Sequence, residues 1–151
     1  MSRQVVIDTN VLVALVDTRD KWHRQAHVLH AALKAQDARF VYVDCVMNEA
    51  ISALGRRAEE QRRLSEFMPL LDKLASFVPD DTITWLSLET RRLYPAVIDL
   101  VRQTNGTLNF HDALIAVGCR ELGIDAIVTF DMDFERINWL TRISDPRHVQ
   151  G

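Results

Sequence analysis

Gln4-Val5-Val6-Ile7-Asp8-Thr9-Asn10-Val11-Leu12 changes its periodicity partway along, and that change decides the fold. Val5-Val6-Ile7 is an apolar, β-branched run too brief for a helix, and it reads as a strand buried on both faces. Over residues 10–18 the apolar side chains recur at Val11, Leu12, Leu15 and Val16, the stripe of a core-facing helix. A buried strand that passes through an acid into a helix is the opening of a β-α crossover. Such crossovers build parallel sheets.

The same grammar recurs downstream. Residues 22–36 read as a second helix with Asp20 as its N-cap, and residues 40–43 as a second strand. Asp44 is placed to cap a helix over 46–58, and residues 60–74 form a further amphipathic helix. A brief strand is expected at 76–78, before the turn Pro79-Asp80-Asp81. Thr82 then caps a helix reaching Tyr94, where Pro95 kinks or ends it. Asn105-Gly106 marks a loop, and Asn109 caps a helix that ends at Leu122 with Gly123 as its left-handed stop. Residues 126–129 make a fourth strand and 140–143 a poorer fifth. No repeat, linker or low-complexity stretch interrupts the alternation. The expectation is one domain over residues 1–151, a three-layer α/β/α sandwich around a short, mainly parallel sheet.

Composition narrows the function classes. With 151 residues the chain suits one domain, and 48% hydrophobic with 26% charged residues is ordinary for a globular protein. The net charge of −3 gives no global basic field, yet a local site can still hold nucleic acid. Cys45 and Cys119 stand in apolar surroundings without CxxC spacing, the pattern of reduced core thiols. No apolar run approaches the ~20 residues that cross a bilayer. Met1-Ser2-Arg3-Gln4 lacks the apolar stretch and cleavage site of a secretory signal. A cytoplasmic protein is expected.

Four carboxylates fall where core elements surface. Asp8 closes the first strand, and Asp131 follows Ala126-Ile127-Val128-Thr129-Phe130. Glu49 interrupts an otherwise apolar helix face beside Val46, Ala50 and Ala53. Asp112 directly precedes the very apolar Ala113-Leu114-Ile115-Ala116-Val117. Taken singly, each can be a helix cap, a turn or a solvated side chain. Taken together they sit at strand ends and helix starts, where open α/β sheets place their sites. Four acids in one pocket repel unless a hard cation offsets them, and an oxygen-only donor set suits Mg²⁺ or Mn²⁺.

The order Val-Ile-Asp-Thr-Asn, Asn-Glu-Ala, His-Asp-Ala-Leu-Ile-Ala and Val-Thr-Phe-Asp-Met-Asp-Phe resembles the PIN-domain ribonucleases, most of all the VapC-type toxins of toxin–antitoxin operons. The resemblance runs from Val5 to Phe134. It implies a Mg²⁺- or Mn²⁺-dependent endoribonuclease with Asp8, Glu49, Asp112 and Asp131 as catalytic and metal-binding quartet. It also implies an RNA substrate, a small antitoxin partner and a homodimer. Asp133 is either an additional ligand or a solvated turn residue. Thr9, Asn10 and Thr129 are placed to orient the carboxylates by hydrogen bonds; Asn10 could also cap the first helix.

Other features carry less. His23, His27 and His30 share a helix face at a spacing that suits Zn²⁺, but no cysteine or acid motif accompanies them, so a solvated or interface face is favoured. His111 adjoins Asp112, and a surface position is favoured over a role at the substrate phosphate. Arg56, Arg57, Arg62 and Arg63 either bind phosphate or pair with Glu59, Glu60 and Glu66. Val11, Leu12, Trp22 and Leu29 supply apolar surface, with any excess free to form a groove for a partner peptide; Phe67, Leu70 and Leu71 extend that reservoir. A haloacid-dehalogenase-type phosphatase needs a second Asp where Asn10 stands, and a late lysine, whereas the last lysine is Lys73. A receiver domain needs an early acidic pair and a late lysine, and this chain lacks both. A nucleotide-binding loop needs glycines that Asp8-Thr9-Asn10-Val11 does not have. A PIN-like fold used only for binding, or a PIN nuclease of RNA processing, remains the alternative.

Overall fold

A computed structural model describes residues 2–149. Five strands, β1 (Gln4–Ile7), β2 (Arg39–Val43), β3 (Ile83–Thr84), β4 (Ala126–Val128) and β5 (Thr141–Ile143), form one sheet in the order β3-β2-β1-β4-β5. Every pairing is parallel, with Val6 opposite both Val41 and Ile127. The expected parallel α/β sandwich is the observed architecture.

Six helices connect the strands: α1 (Thr9–Val16), α2 (His23–Ala35), α3 (Asp44–Glu60), α4 (Leu64–Phe77), α5 (Thr90–Gln103) and α6 (Phe110–Glu121). The chain moves outward from β1 through β2 to β3, then returns past β1 to β4. Because parallel crossovers are right-handed, that reversal puts the two sets of helices on opposite faces of the sheet. It also opens a crevice at the carboxyl ends of β1 and β4, where the strand order switches. Residues 5–7 of β1, all of β4 and most of α1 and α6 are buried, so this crevice stands on the core of the molecule.

Several local expectations need correction. Residues 76–78 are not a strand; α4 runs through Phe77. The helix expected at 82–94 is instead the short β3 followed by a loop, and α5 begins only at Thr90. Pro95 lies inside α5 without ending it. Both Pro95 and Arg91 are exposed, so the carbonyl that loses its helical partner faces water. The helix expected over 60–74 starts at Leu64, because Arg62 takes a left-handed backbone (φ 55°) that separates α3 from α4.

The expected caps divide the same way. Asn109 caps α6 through a 2.9 Å bond from the Asp112 backbone N–H, and Gly123 takes the left-handed stop (φ 70°). Asp44 is no cap. It is the first residue of α3, buried, and accepts from the backbone N–H groups of Leu86 (2.7 Å) and Ser87 (3.0 Å), fastening the loop between β3 and α5. Asp20 accepts from Trp22 N at 2.7 Å, one residue ahead of α2.

Val11, Leu12 and Leu29 are buried in the core and supply no partner groove; Trp22 stays exposed. Cys119 is buried and Cys45 half-buried, both as free thiols, with burial pushing each up to about 12. Among the described residues no helix is long and apolar enough to cross a membrane.

Candidate active site

Asp8 follows β1 directly and caps α1, with Oδ1 accepting from the Thr9 backbone N–H at 2.8 Å. Its other oxygen accepts from the Thr129 hydroxyl at 2.6 Å and, more weakly, from Asn10 Nδ2 at 3.4 Å. Thr129 is fully buried just after β4, and its hydroxyl is a hub. It accepts from Asn10 Nδ2 (3.1 Å) and from the Asp131 backbone N–H (3.0 Å). Two acceptances fill both lone pairs, so the single hydroxyl proton is directed at Asp8. Asn10 closes the circuit, taking the Phe130 backbone N–H on its Oδ1 at 3.1 Å. The orienting role expected of Thr9, Asn10 and Thr129 thus has a definite hydrogen-bond pattern, and Asn10 is no cap.

Glu49 comes from the middle of α3 and Asp112 from the first turn of α6. Asp131 precedes a short 3₁₀ turn at Met132–Arg136, which it caps by accepting from Asp133 N at 2.9 Å. Asp8, Glu49, Asp112 and Asp131 all line one open cavity of about 320 Å³, together with Thr9, Asn10 and Arg57. It lies in the crevice at the switch point between β1 and β4.

Crowding of like charge marks this cavity. Burial, and then the charges of Asp8, Asp131, Glu49 and Asp133, push the half-buried Asp112 carboxyl up to about 7. Burial also raises Asp8, against the opposing hydrogen bonds of Thr129 and Thr9. Glu49 Oε2 accepts from the Thr9 hydroxyl at 3.3 Å and contacts His111 Nε2. Among the described residues no three His, Cys, Asp or Glu side chains close on one point tightly enough to hold an ion as they stand. The quartet shares a cavity rather than a ready-made cage. Its donors are all oxygens and its acids outnumber the one arginine beside them, which is the donor set a hard divalent cation takes. By its donor chemistry the quartet would suit Mg²⁺ or Mn²⁺.

The remaining expectations resolve individually. Asp133 does not line the cavity; its carboxylate lies 3.7 Å from Arg136 Nε. His23 gives a 2.7 Å ring-nitrogen contact to the Ala14 carbonyl, and His30 stacks on Phe40 at 4.3 Å, so that helix face is structural. His111 contacts Glu49 rather than solvent alone. The arginines divide. Arg63 is buried and holds Asp17 through two bonds, at 2.9 and 3.1 Å, plus Glu66 at 2.6 Å. Arg56 and Arg62 are exposed, while Arg57 pairs with Asp20 and reaches the cavity. The pairs Arg63–Asp17 and Arg57–Asp20 lie outside the glutamate partners expected, whereas the seat of Arg57 on the cavity accords with the phosphate-binding alternative. The one available signal was that Arg57 lies two helical turns beyond Glu49, on the same face of α3.

Comparison with known proteins agrees with this layout. The chain superposes on the crystal structure of VapC20 of Mycobacterium tuberculosis, described as a sarcin-ricin loop cleaving toxin. The TM-score is 0.65 at 21% identity, covering 89% of this chain and 95% of that one. It also superposes on a chain of the Rickettsia felis VapBC2 complex bound to a DNA fragment from its promoter. There the TM-score is 0.61 at 17% identity, covering 93% and 97% respectively. At these identities the likeness speaks for the fold. A search of curated protein sequences finds no match. The PIN domain family model matches residues 5–140, nearly the whole chain: this protein belongs to the PIN domain family.

Proposed function

We propose that this protein is a metal-dependent endoribonuclease that hydrolyses RNA phosphodiester bonds, with Asp8, Glu49, Asp112 and Asp131 holding Mg²⁺ or Mn²⁺. The observation that carries this reading is the placement of all four acids on one cavity at the switch point of a PIN fold. A cation held there would offset the clustered charge, polarise the scissile phosphodiester and favour attack by water. The chain's own residues prepare the site. Thr129, Thr9 and Asn10 fix both oxygens of Asp8, so the carboxylate cannot swing away. Burial of the flanking strands keeps these hydrogen bonds out of competition with water. No serine, cysteine or histidine nucleophile is needed.

The purified protein is expected to cleave single-stranded RNA in Mg²⁺ or Mn²⁺ and to stop in EDTA, with activity restored by adding back the cation. Cleavage that continues undiminished in chelator, from a preparation whose Asp112→Asn counterpart is inactive, would remove the metal from the mechanism.

The same reading extends to biology: the protein acts as the toxin of a toxin–antitoxin pair, as a homodimer in the cytoplasm. Similarity to a VapC toxin and to a chain of a VapBC complex supports it. So does an apolar groove of about 570 Å³ lined by Met47, Ile51, Leu71, Leu74, Val78 and Trp85, a surface suited to the apolar face of a partner helix. Expression alone should arrest growth, and co-expression with a small protein encoded next to it should relieve the arrest and yield a stable complex. Normal growth, together with no complex, would favour a PIN nuclease of RNA processing instead.

A further inference from the structure

Beside the acidic cavity, three features meet on one carboxylate. Asp20 is buried, takes the Trp22 backbone N–H on one oxygen at 2.7 Å and pairs with Arg57 through the other. Among the described residues Arg57 is the only cation lining the cavity, where every other charged lining group is an acid. The Asp20 bond occupies one of its terminal nitrogens, and its side chain is 35% exposed, so donors remain for a second partner. Trp22 stays 37% exposed, with its ring stacked 5.0 Å from Phe130. Phe130 in turn is tied to the site through its backbone bond to Asn10 and through its neighbour Asp131. The exposed Lys21 ammonium lies 5.4 Å from the same indole ring.

The part of the indole that Phe130 leaves exposed is apolar surface that a stacked ring would cover. The Trp22 backbone shares Asp20 with the guanidinium that lines the anionic cavity. A phosphodiester entering that cavity meets acids on most sides, and Arg57 is the group placed to hold an adjoining phosphate. A nucleobase linked to that phosphate can use Trp22 as a stacking surface, since every base has a π-face and aromatic side chains accept it without regard to sequence.

We propose that Trp22 and Arg57, both positioned by Asp20, form a nucleotide subsite flanking the acidic cavity, with the indole stacking on a base of single-stranded RNA and the guanidinium taking the adjoining phosphate. The subsite rests on the ribonuclease reading and adds how the unpaired strand is held: gripped at the nucleotide next to the scissile bond. Duplex RNA, whose bases are stacked on one another, cannot use it.

The test uses the full-length chain carrying Asp112→Asn, so that cleavage does not intervene, and a labelled mixed-sequence single-stranded RNA titrated over a range of KCl concentrations. Trp22→Ala should weaken binding about tenfold or more at every salt concentration. Trp22→Phe, which keeps a stacking face, should recover most of the loss. Arg57→Gln should reduce the slope of log affinity against log salt by about 0.7, the loss of one phosphate contact on a single strand. The same RNA annealed to its complement should bind at least about tenfold more weakly and be insensitive to Trp22→Ala. A fold-only role for either residue would lower Tm and leave the salt slope and the strand preference unchanged, and that result overturns the subsite. If the parent chain binds no RNA at all, the ribonuclease reading falls with it.

Discussion

Asp112→Asn is expected to lower RNA cleavage by at least about a hundredfold while raising the Tm of the chain in EDTA. The substitution keeps the shape of the side chain and the Asn109 cap, which engages only the backbone N–H of residue 112. It removes one negative charge from a cavity already crowded by Asp8, Asp131 and Glu49. The stability effect has a definite pH dependence. In the folded chain Asp112 titrates near 7, above its ordinary value of 3.8. Its contribution to stability is therefore intact below about pH 4 and is lost progressively as pH rises through about 7. With solvent screening of this half-buried group discounted, the gain from asparagine should be about 1–2 kcal/mol at pH 8 and near zero at pH 4. Thermal unfolding at those two pH values in chelator measures it. Near-normal cleavage by the variant at saturating Mg²⁺ would take Asp112 out of the site. Asp8→Asn should be equally inactive but gains no stability. Both Asp8 oxygens accept hydrogen bonds, and an amide nitrogen at either position would face a donor.

The second large effect lies outside the cavity. Arg63→Ala should destabilise the fold by about 3–5 kcal/mol, because it leaves a buried carboxylate without its partner. Asp17 is 1% exposed and ends α1, where the helix dipole gives it no support. Burial alone would raise its carboxyl; the bidentate Arg63 pair and the Arg19 backbone N–H hold it below the ordinary value instead. The stability from this pair is present above about pH 4 and is lost as pH falls through the depressed value. The variant should therefore melt about 10 °C lower at pH 7, with a smaller deficit in acid. Replacing both partners with apolar residues of similar size, Asp17→Leu with Arg63→Met, should recover most of the loss. A single Arg63→Ala variant within about 1 kcal/mol of the parent would show that the pair is not structural.

What the sequence revealed follows from how local each determinant is. β1, α1, α6 and β4 were legible because their apolar periodicity is strong and their caps adjoin them. β3 was not, since two residues cannot display a period, and the chain around Trp85 and Leu86 is held by Asp44 from far away in sequence. Of the two outcomes expected at Pro95, a kink or an end, α5 excludes the end: the helix runs on through it, with the orphaned carbonyl facing water. In the site, each acid announced itself by interrupting an apolar element. The direction of the Thr129 proton, the contact of Glu49 with His111 and the seat of Arg57 all depend on partners more than thirty residues distant, which no local pattern encodes.

The sheet's margins set how this protein can assemble. Its edge strands, β3 and β5, span two and three residues, and β5 is followed by a 3₁₀ turn at Pro146–His148. An incoming strand would find too few free backbone groups to pair with. Short edges of this kind disfavour growth of the sheet by added strands, the route to open-ended polymers. Helix faces, whose contacts are set by side chains rather than by backbone, are the surfaces left for a partner to use. Affinity and choice of partner can then be retuned one residue at a time while the cavity between β1 and β4 is left untouched.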